Sequence, residues 1–164
     1  MTIRDAVEAD LPALLAIHNE AVRTTTAIWD EHEVDLDERR AWFLERQRGG
    51  FPVLVTERGG VVAGYASYGP WRPKSGYRLT VENSVYVLAA HHGHGLASTL
   101  LDELIVRARS AGLHRMMAMI ESSNTISIGL HERRGFRVVG QMDEVGTKFG
   151  RWLDLTVMQL PLSP

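Results

Sequence analysis

The chain has 164 residues, a net charge of −2, 45% hydrophobic residues and 23% charged residues. That balance suits one soluble globular domain spanning residues 1–164, and it gives no basic field for nucleic acid or an anionic membrane. Cysteine is absent, which excludes disulfides, thiolate metal sites and a cysteine nucleophile and fits a reducing, cytoplasmic setting. No apolar run approaches the ~20 residues a membrane span needs, and Met1-Thr2-Ile3-Arg4-Asp5 has no apolar leader segment.

Thr2–Ala6 reads as a short strand. Asp10 is placed to cap a helix in which Leu11, Leu14, Leu15, Ile17, Ala21 and Val22 recur at helical spacing. Pro12 falls in its first turn, where a missing N–H costs little. A polar-aromatic loop, Thr24–Trp29, follows. Asp35 and Glu38 form a capping-box pattern for a second helix through Arg48, which Gly49-Gly50 stops. Pro52–Arg58 and Val61–Tyr68, joined by Gly59-Gly60, read as a hairpin. Gly69–Gly76 is a loop by its proline and glycine content, and Arg78–Leu88 is a long strand.

A third helix spans Gly95–Ala111, with Leu96, Leu100, Leu101, Leu104, Ile105 and Ala108 on one face and Gly112 just past its end. His114–Ile120 is a strand, and Asn124 or a neighbour opens a short helix that stops before Gly135. Phe136–Gly140 and Trp152–Leu160 are the last strands. The order β-α-α-β-β-β-α-β-α-β-β predicts an α+β fold with a mixed central sheet flanked by helices. A dinucleotide-binding fold is excluded, because the glycine motif follows several antiparallel strands and no G-x-G-x-x-G occurs.

The strongest functional signal is the run from Val85 to Ser98. A strand ends, Gly93 and Gly95 bracket His94, and an amphipathic helix begins. Such a layout gathers the unpaired first-turn amides of a helix at one point, where the dipole favours an anion. Gly93, His94, Gly95, Leu96, Ala97 and Ser98 are therefore expected to cradle phosphate, with Ser98 adding a hydroxyl and Leu96 packing inward. Glu82 is the second signal, a carboxylate partway along a strand rich in Thr, Val and Tyr. In a buried site its pKa would rise, which suits removal of a proton from an ammonium; a solvent-facing strand residue is the alternative. No His or carboxylate cluster has metal-ligand spacing, so no metal is expected.

With these residues in view, the chain resembles the GNAT superfamily of acetyl-CoA-dependent N-acetyltransferases. His92-Gly93-His94-Gly95-Leu96-Ala97 is similar to the family's pyrophosphate motif. Asn124, Ser127, Ile128, Leu130, His131 and Gly135-Phe136 are similar to its downstream signature. Thr80–Val87, Thr26–Trp29 and Val145–Asp154 resemble the phosphinothricin and methionine sulfone/sulfoximine acetyltransferase branch over essentially the whole chain.

The resemblance implies direct acetyl transfer from acetyl-CoA to the α-amine of a small amino acid analogue, with no acyl-enzyme. It implies that the main chain of Val85, Tyr86 and Val87 binds the pantetheine arm and polarises the thioester carbonyl, and that Asn124 hydrogen-bonds the same arm. His131 stands where relatives have a tyrosine that protonates the departing thiolate; a packed helix residue is the alternative. On the acceptor side, Trp29, Arg72, Pro73, Lys74, Arg78, Glu82, Asn83 and Ser84 are the expected contacts, the basic ones for the carboxylate. His91, His92 and His94 depart from the basic residues usual in the cradle, and Asn83 departs from a histidine. The resemblance also implies a homodimer. Rival readings are an enzyme for peptide N-termini or polyamines, and a non-catalytic CoA-binding sensor.

Overall fold

The computed structural model describes residues 2–163. In chain order its elements are β1 (Thr2–Asp5), α1 (Leu11–Thr24), α2 (Leu36–Arg48), β2 (Val53–Arg58), β3 (Val61–Pro70), β4 (Thr80–Val87), α3 (Leu96–Ser110), β5 (Arg115–Glu121), α4 (Thr125–Glu132), β6 (Arg137–Lys148) and β7 (Arg151–Pro161). The order is the one expected, and the α+β class holds. The strands form one seven-stranded sheet in the order β1-β2-β3-β4-β5-β7-β6. Every pairing is antiparallel except β4 with β5.

Helices cover both faces. Leu100, Leu101, Leu104 and Ala108 of α3 pack with Leu54, Ala66, Val81, Met116 and Met158 of the sheet. On the other face Leu11, Leu14 and Ile17 of α1 join Phe43 of α2 over Val53, Val55 and Tyr65. Strand alternation sends successive side chains into these two separate cores.

Local signals behave as their chemistry requires, with two exceptions. Asp35 accepts from the Glu38 amide and Glu38 accepts from the Asp35 amide, both at 2.9 Å, closing the capping box of α2. Asp10 does not cap α1 with its side chain. It is drawn away by a bidentate pair with Arg4, at 2.7 and 2.9 Å, and accepts from the Val7 amide. The second exception is β6, which runs on past Gly140 to Lys148 through two register irregularities. A tight turn at Phe149 and Gly150, both with positive φ, joins it to β7.

The feature that positions the site is the parallel pair. β4 pairs with β3 along Val81–Val87, but its ladder with β5 covers only Thr80–Glu82. Beyond Glu82 the two strands separate, and the β5-facing main chain of Asn83–Val87 has no strand partner among the described residues. The sheet therefore opens as a V with Glu82 at its apex.

Candidate active site

Glu82 lies half-buried at that apex. Burial pushes its pKa up, opposed by the nearby Arg72 and Arg46 guanidinium groups. Its carboxylate makes no hydrogen bond among the described residues, so it is held ready for a donor rather than committed to the fold. A cavity of about 310 Å³ opens beside it, lined by Ala27, Trp29, Trp71, Arg72, Glu82, Met119 and Leu155. That volume is in the range of small-molecule sites. Trp29 forms one wall. Its ring lies so close to Gly146 that a Cβ there would sit 2.2 Å from it, and its indole N–H donates to Thr26 O at 2.9 Å.

The loop carrying Trp29 is fixed from two sides. Lys148 is fully buried, and its ammonium donates to the carbonyls of Thr25 and Ile28. Glu121, at the end of β5, accepts from the Thr26 hydroxyl at 3.1 Å. The β6–β7 turn thus shapes this cavity from a distance.

On the opposite side of the sheet lies the glycine turn. Gly93 and Gly95 both adopt left-handed backbone, with φ of 77° and 76°. A Cβ at either would meet nothing within 4 Å. Glycine is therefore required for the conformation, not for clearance within the protein. The turn leaves the amides of Leu96, Ala97 and Ser98 at the start of α3 without intrahelical acceptors. Ser98 receives a hydrogen bond from Arg134, which also pairs with Asp102 at 2.7 Å and donates to Leu130 O at 2.9 Å. With its oxygen already accepting, the Ser98 hydroxyl keeps its proton for an anion. Asn124 caps α4 with its side-chain oxygen, 3.0 Å from the Ser127 amide, which leaves its NH2 group for a ligand.

An open strand edge, a left-handed glycine turn and unpaired helix amides follow one another along this face. They match an extended molecule with an amide-bearing arm and a pyrophosphate. The GNAT acetyltransferase family model matches residues 14–136. The chain belongs to that family.

As a GNAT protein it has close relatives along its full length. It is 60% identical to the L-methionine sulfoximine/L-methionine sulfone acetyltransferase of Pseudomonas paraeruginosa, covering 99% of this chain and 95% of that one. It is 42% identical to the phosphinothricin N-acetyltransferase of Alcaligenes faecalis, covering 99% and 83%. A Salmonella typhimurium acetyltransferase solved with its cofactor acetyl-CoA superposes with a TM-score of 0.98 at 56% identity, over 100% of this chain and 95% of that one. The residues of the open edge and cradle fit acetyl-CoA.

The structure also redistributes the expected GNAT site residues. Trp29, Arg72 and Glu82 come together around one cavity, with Trp71 beside them. Pro73, Lys74 and Arg78 do not line it; they are exposed, and Arg78 donates to Ser75 O at 3.4 Å. Asn83 is buried on the other side of β4, because adjacent strand residues face opposite ways. Its amide donates to Met117 O at 3.0 Å and so ties the apex of the V. Ser84 faces the same way as Glu82 but lines a different cavity.

His131 also departs from expectation. It is 4% exposed, with Nδ1 2.8 Å from Ser127 O and Nε2 3.1 Å from Asn83 Oδ1. Burial lowers its pKa, opposed by the Ser127 bond. A neutral imidazole has a single N–H, and whichever nitrogen carries it faces a protein oxygen, so no N–H points to a departing thiolate. It is a partner of Asn83 rather than an open acid.

His92 and His94 of the cradle are exposed, but one ring nitrogen of each is tied to the local backbone. His92 Nε2 donates to Val87 O at 2.9 Å and His94 Nδ1 to His92 O at 2.8 Å. They brace the turn instead of standing in for arginine. Val85 and Val87 pack on the α3 side of the sheet, and the Tyr86 ring lies against Tyr65 on the other. What Val85–Val87 present to the V is main chain.

Met119, Leu155 and Ala27 of the cavity were not legible in the sequence, nor were Glu121 and Arg134 as supports. The Val145–Asp154 stretch carried a signal for Lys148, whose lone ammonium in an apolar hairpin has to find acceptors somewhere.

Proposed function

We propose that the chain transfers acetyl from acetyl-CoA to the α-amine of a small amino acid analogue of the methionine sulfone, methionine sulfoximine or phosphinothricin type. The observation that carries this reading is the cavity joining Glu82, Arg72 and two tryptophans at the apex of the V, opposite the cradle. Bound acetyl-CoA supplies an activated acyl group at that apex. The cradle amides of residues 96–98 and the Ser98 hydroxyl hold the pyrophosphate, and the Asn124 NH2 group holds the arm. The β5-facing main chain of Val85–Val87, other than the Val87 carbonyl that His92 occupies, orients the arm and offers an N–H to the acyl oxygen, where developing negative charge is stabilised. Glu82 accepts the proton from the acceptor ammonium, directly or through one water. Arg72 holds the acceptor carboxylate, and Trp29 and Trp71 enclose its side chain and exclude water.

The transfer is direct, in a ternary complex: the acceptor nitrogen bonds the acyl carbon, the C–S bond breaks, and the CoA thiolate leaves as the thiol, taking from solvent a proton equivalent to the second one lost by the amine. We also assign the protein to the cytoplasm, as a homodimer whose role is to inactivate such analogues. Val138, Val139, Met142, Val145, Phe149 and Trp152 expose apolar surface along β6–β7, which supports that edge as the self-contact. Light scattering giving a monomer mass at micromolar concentration would remove the dimer.

The test of the activity is thiol release from acetyl-CoA against a panel of amino acids, sulfones, sulfoximines, phosphinothricin, polyamines and short peptides. Turnover concentrated on the small analogues is expected. Turnover confined to peptides or polyamines refutes the substrate assignment.

A further inference from the structure

A second cavity, of about 120 Å³, lies between α1, α2 and the β3–β4 face. His18, Arg39, Trp42, Arg46, Tyr65 and Ser84 are among its lining residues, and it shares none with the cavity at Glu82. Its chemistry is unusual. Arg39 is 4% exposed, yet neither it nor Arg46 has a carboxylate within 4.0 Å among the described residues. The guanidinium of Arg39 stacks on Trp42 at 3.5 Å and its Nη1 lies 3.2 Å from His18 Nδ1. Its Nε and Nη2 are buried with no hydrogen-bond partner, and so is Nε of Arg46.

A buried cation without a counter-charge is costly, and the half-buried Arg46 beside Arg39 adds repulsion. The surroundings do not relieve this. His18 is held neutral by burial and by Arg39, its pKa lowered to about 4. Glu45 and Glu82 attract Arg46 from beyond ion-pair distance. The remaining wall brings no negative charge: it is made of the Tyr65, Ser67, Ser84 and Tyr86 side chains, and the Ser67 hydroxyl is committed to Pro52 O at 2.8 Å.

We propose that this cavity is a binding site for a small monovalent anion, of chloride to acetate size, held by Arg39 and Arg46. The planar donors of Arg39 that face no protein acceptor supply the primary contacts. Arg46 closes the site from the side of Gly69, against whose Cα its guanidinium lies. The anion removes the cost of two like charges under α2, so it stabilises the packing of α1 and α2 on the sheet.

The test reads binding, not turnover, and so stands or falls independently of the acetyl transfer reaction. The melting temperature of the full chain is followed against sodium chloride, formate and acetate, at ionic strength held constant with sodium gluconate. Saturable stabilisation is expected with the small anions, as ligand linkage requires, with at least about tenfold weaker apparent affinity in Arg46→Gln. Arg39→Gln should abolish it; if that variant does not fold, Arg46→Gln carries the comparison. A crystal soaked in bromide should show anomalous density against Arg39. A response that never saturates, one unchanged in Arg46→Gln, or a water-filled cavity without bromide overturns the proposal. So does displacement of bromide by methionine sulfone, which would make the cavity part of the acceptor site.

Discussion

Glu82 and Asn83 are neighbours in sequence with opposite assignments. Glu82 faces the acceptor cavity, and Asn83 faces the core and ties β4 to β5. Because burial raises the Glu82 pKa, the acid limb of kcat/KM should titrate above the ordinary carboxylate value of about 4.3. A pH–rate profile measures it. Activity should rise with pH as the carboxylate forms, and Glu82→Gln should remove that limb. The same shift has a stability sign. A carboxyl with a raised folded pKa costs stability as pH climbs through the carboxylate range, so Glu82→Gln should melt no lower than the parent at neutral pH.

His131 gives the complementary prediction. If it only braces Asn83, His131→Gln should cost less than about tenfold in turnover, whereas loss of a general acid typically costs about 10²–10⁴-fold. Steady-state kinetics at saturating acetyl-CoA decide between them. The strand alternation that separates Glu82 from Asn83 was legible in the sequence. The pairing of Asn83 with His131 was not, since it joins residues far apart in the chain and depends on how α4 docks.

At the level of elements, the Gly93–Gly95 turn and the Thr25–Trp29 loop each make a prediction. Gly95 has φ of 76° and open space where a Cβ would go. Gly95→Ala therefore strains the backbone without a clash, by about 1–2 kcal/mol. It should raise the KM for acetyl-CoA several-fold while leaving the acceptor KM near its parent value. Lys148→Met keeps the length of the side chain but strands the Thr25 and Ile28 carbonyls that the ammonium served. It should lower the melting temperature and raise the acceptor KM more than the acetyl-CoA KM, because the Trp29 wall is what loosens. Both are read from two-substrate kinetics and a melting curve.

The cradle was legible because a glycine pair ahead of an amphipathic helix has few other uses. The extension of β6 beyond Gly140 was not, since Gln141-Met142-Asp143-Glu144 has no apolar alternation and Glu144 breaks the ladder with φ of 52°. Helix α2 was legible in its caps and illegible in its burial. Arg39, Trp42, Phe43 and Arg46 recur at the spacing of one helix face, but a charged residue on that face reads as solvated until a cavity is seen beneath it.

For the whole molecule, two cores on either side of one sheet keep the acceptor side and the cofactor side apart, meeting only where β4 and β5 part. The pH dependence of stability should report the α1–α2 layer. His18 has a folded pKa near 4 against an ordinary 6.5, so the unfolded chain binds more protons between those values. Stability should fall as pH drops from about 6.5 towards 4, and His18→Gln should flatten that segment of a melting temperature against pH series.

Acetyl transfer as proposed depends on Glu82 acting at the apex of the V on a small amino acid held by Arg72 and the two tryptophans. Mass spectrometry of the product formed from methionine sulfone and acetyl-CoA, by the parent and by Glu82→Gln at matched concentration, tests it most directly. The parent should acetylate the α-nitrogen, and the variant should do so at a rate at least about 10²-fold lower. Equal rates in the two proteins, or no product from any small amino acid alongside turnover of peptides, would contradict it.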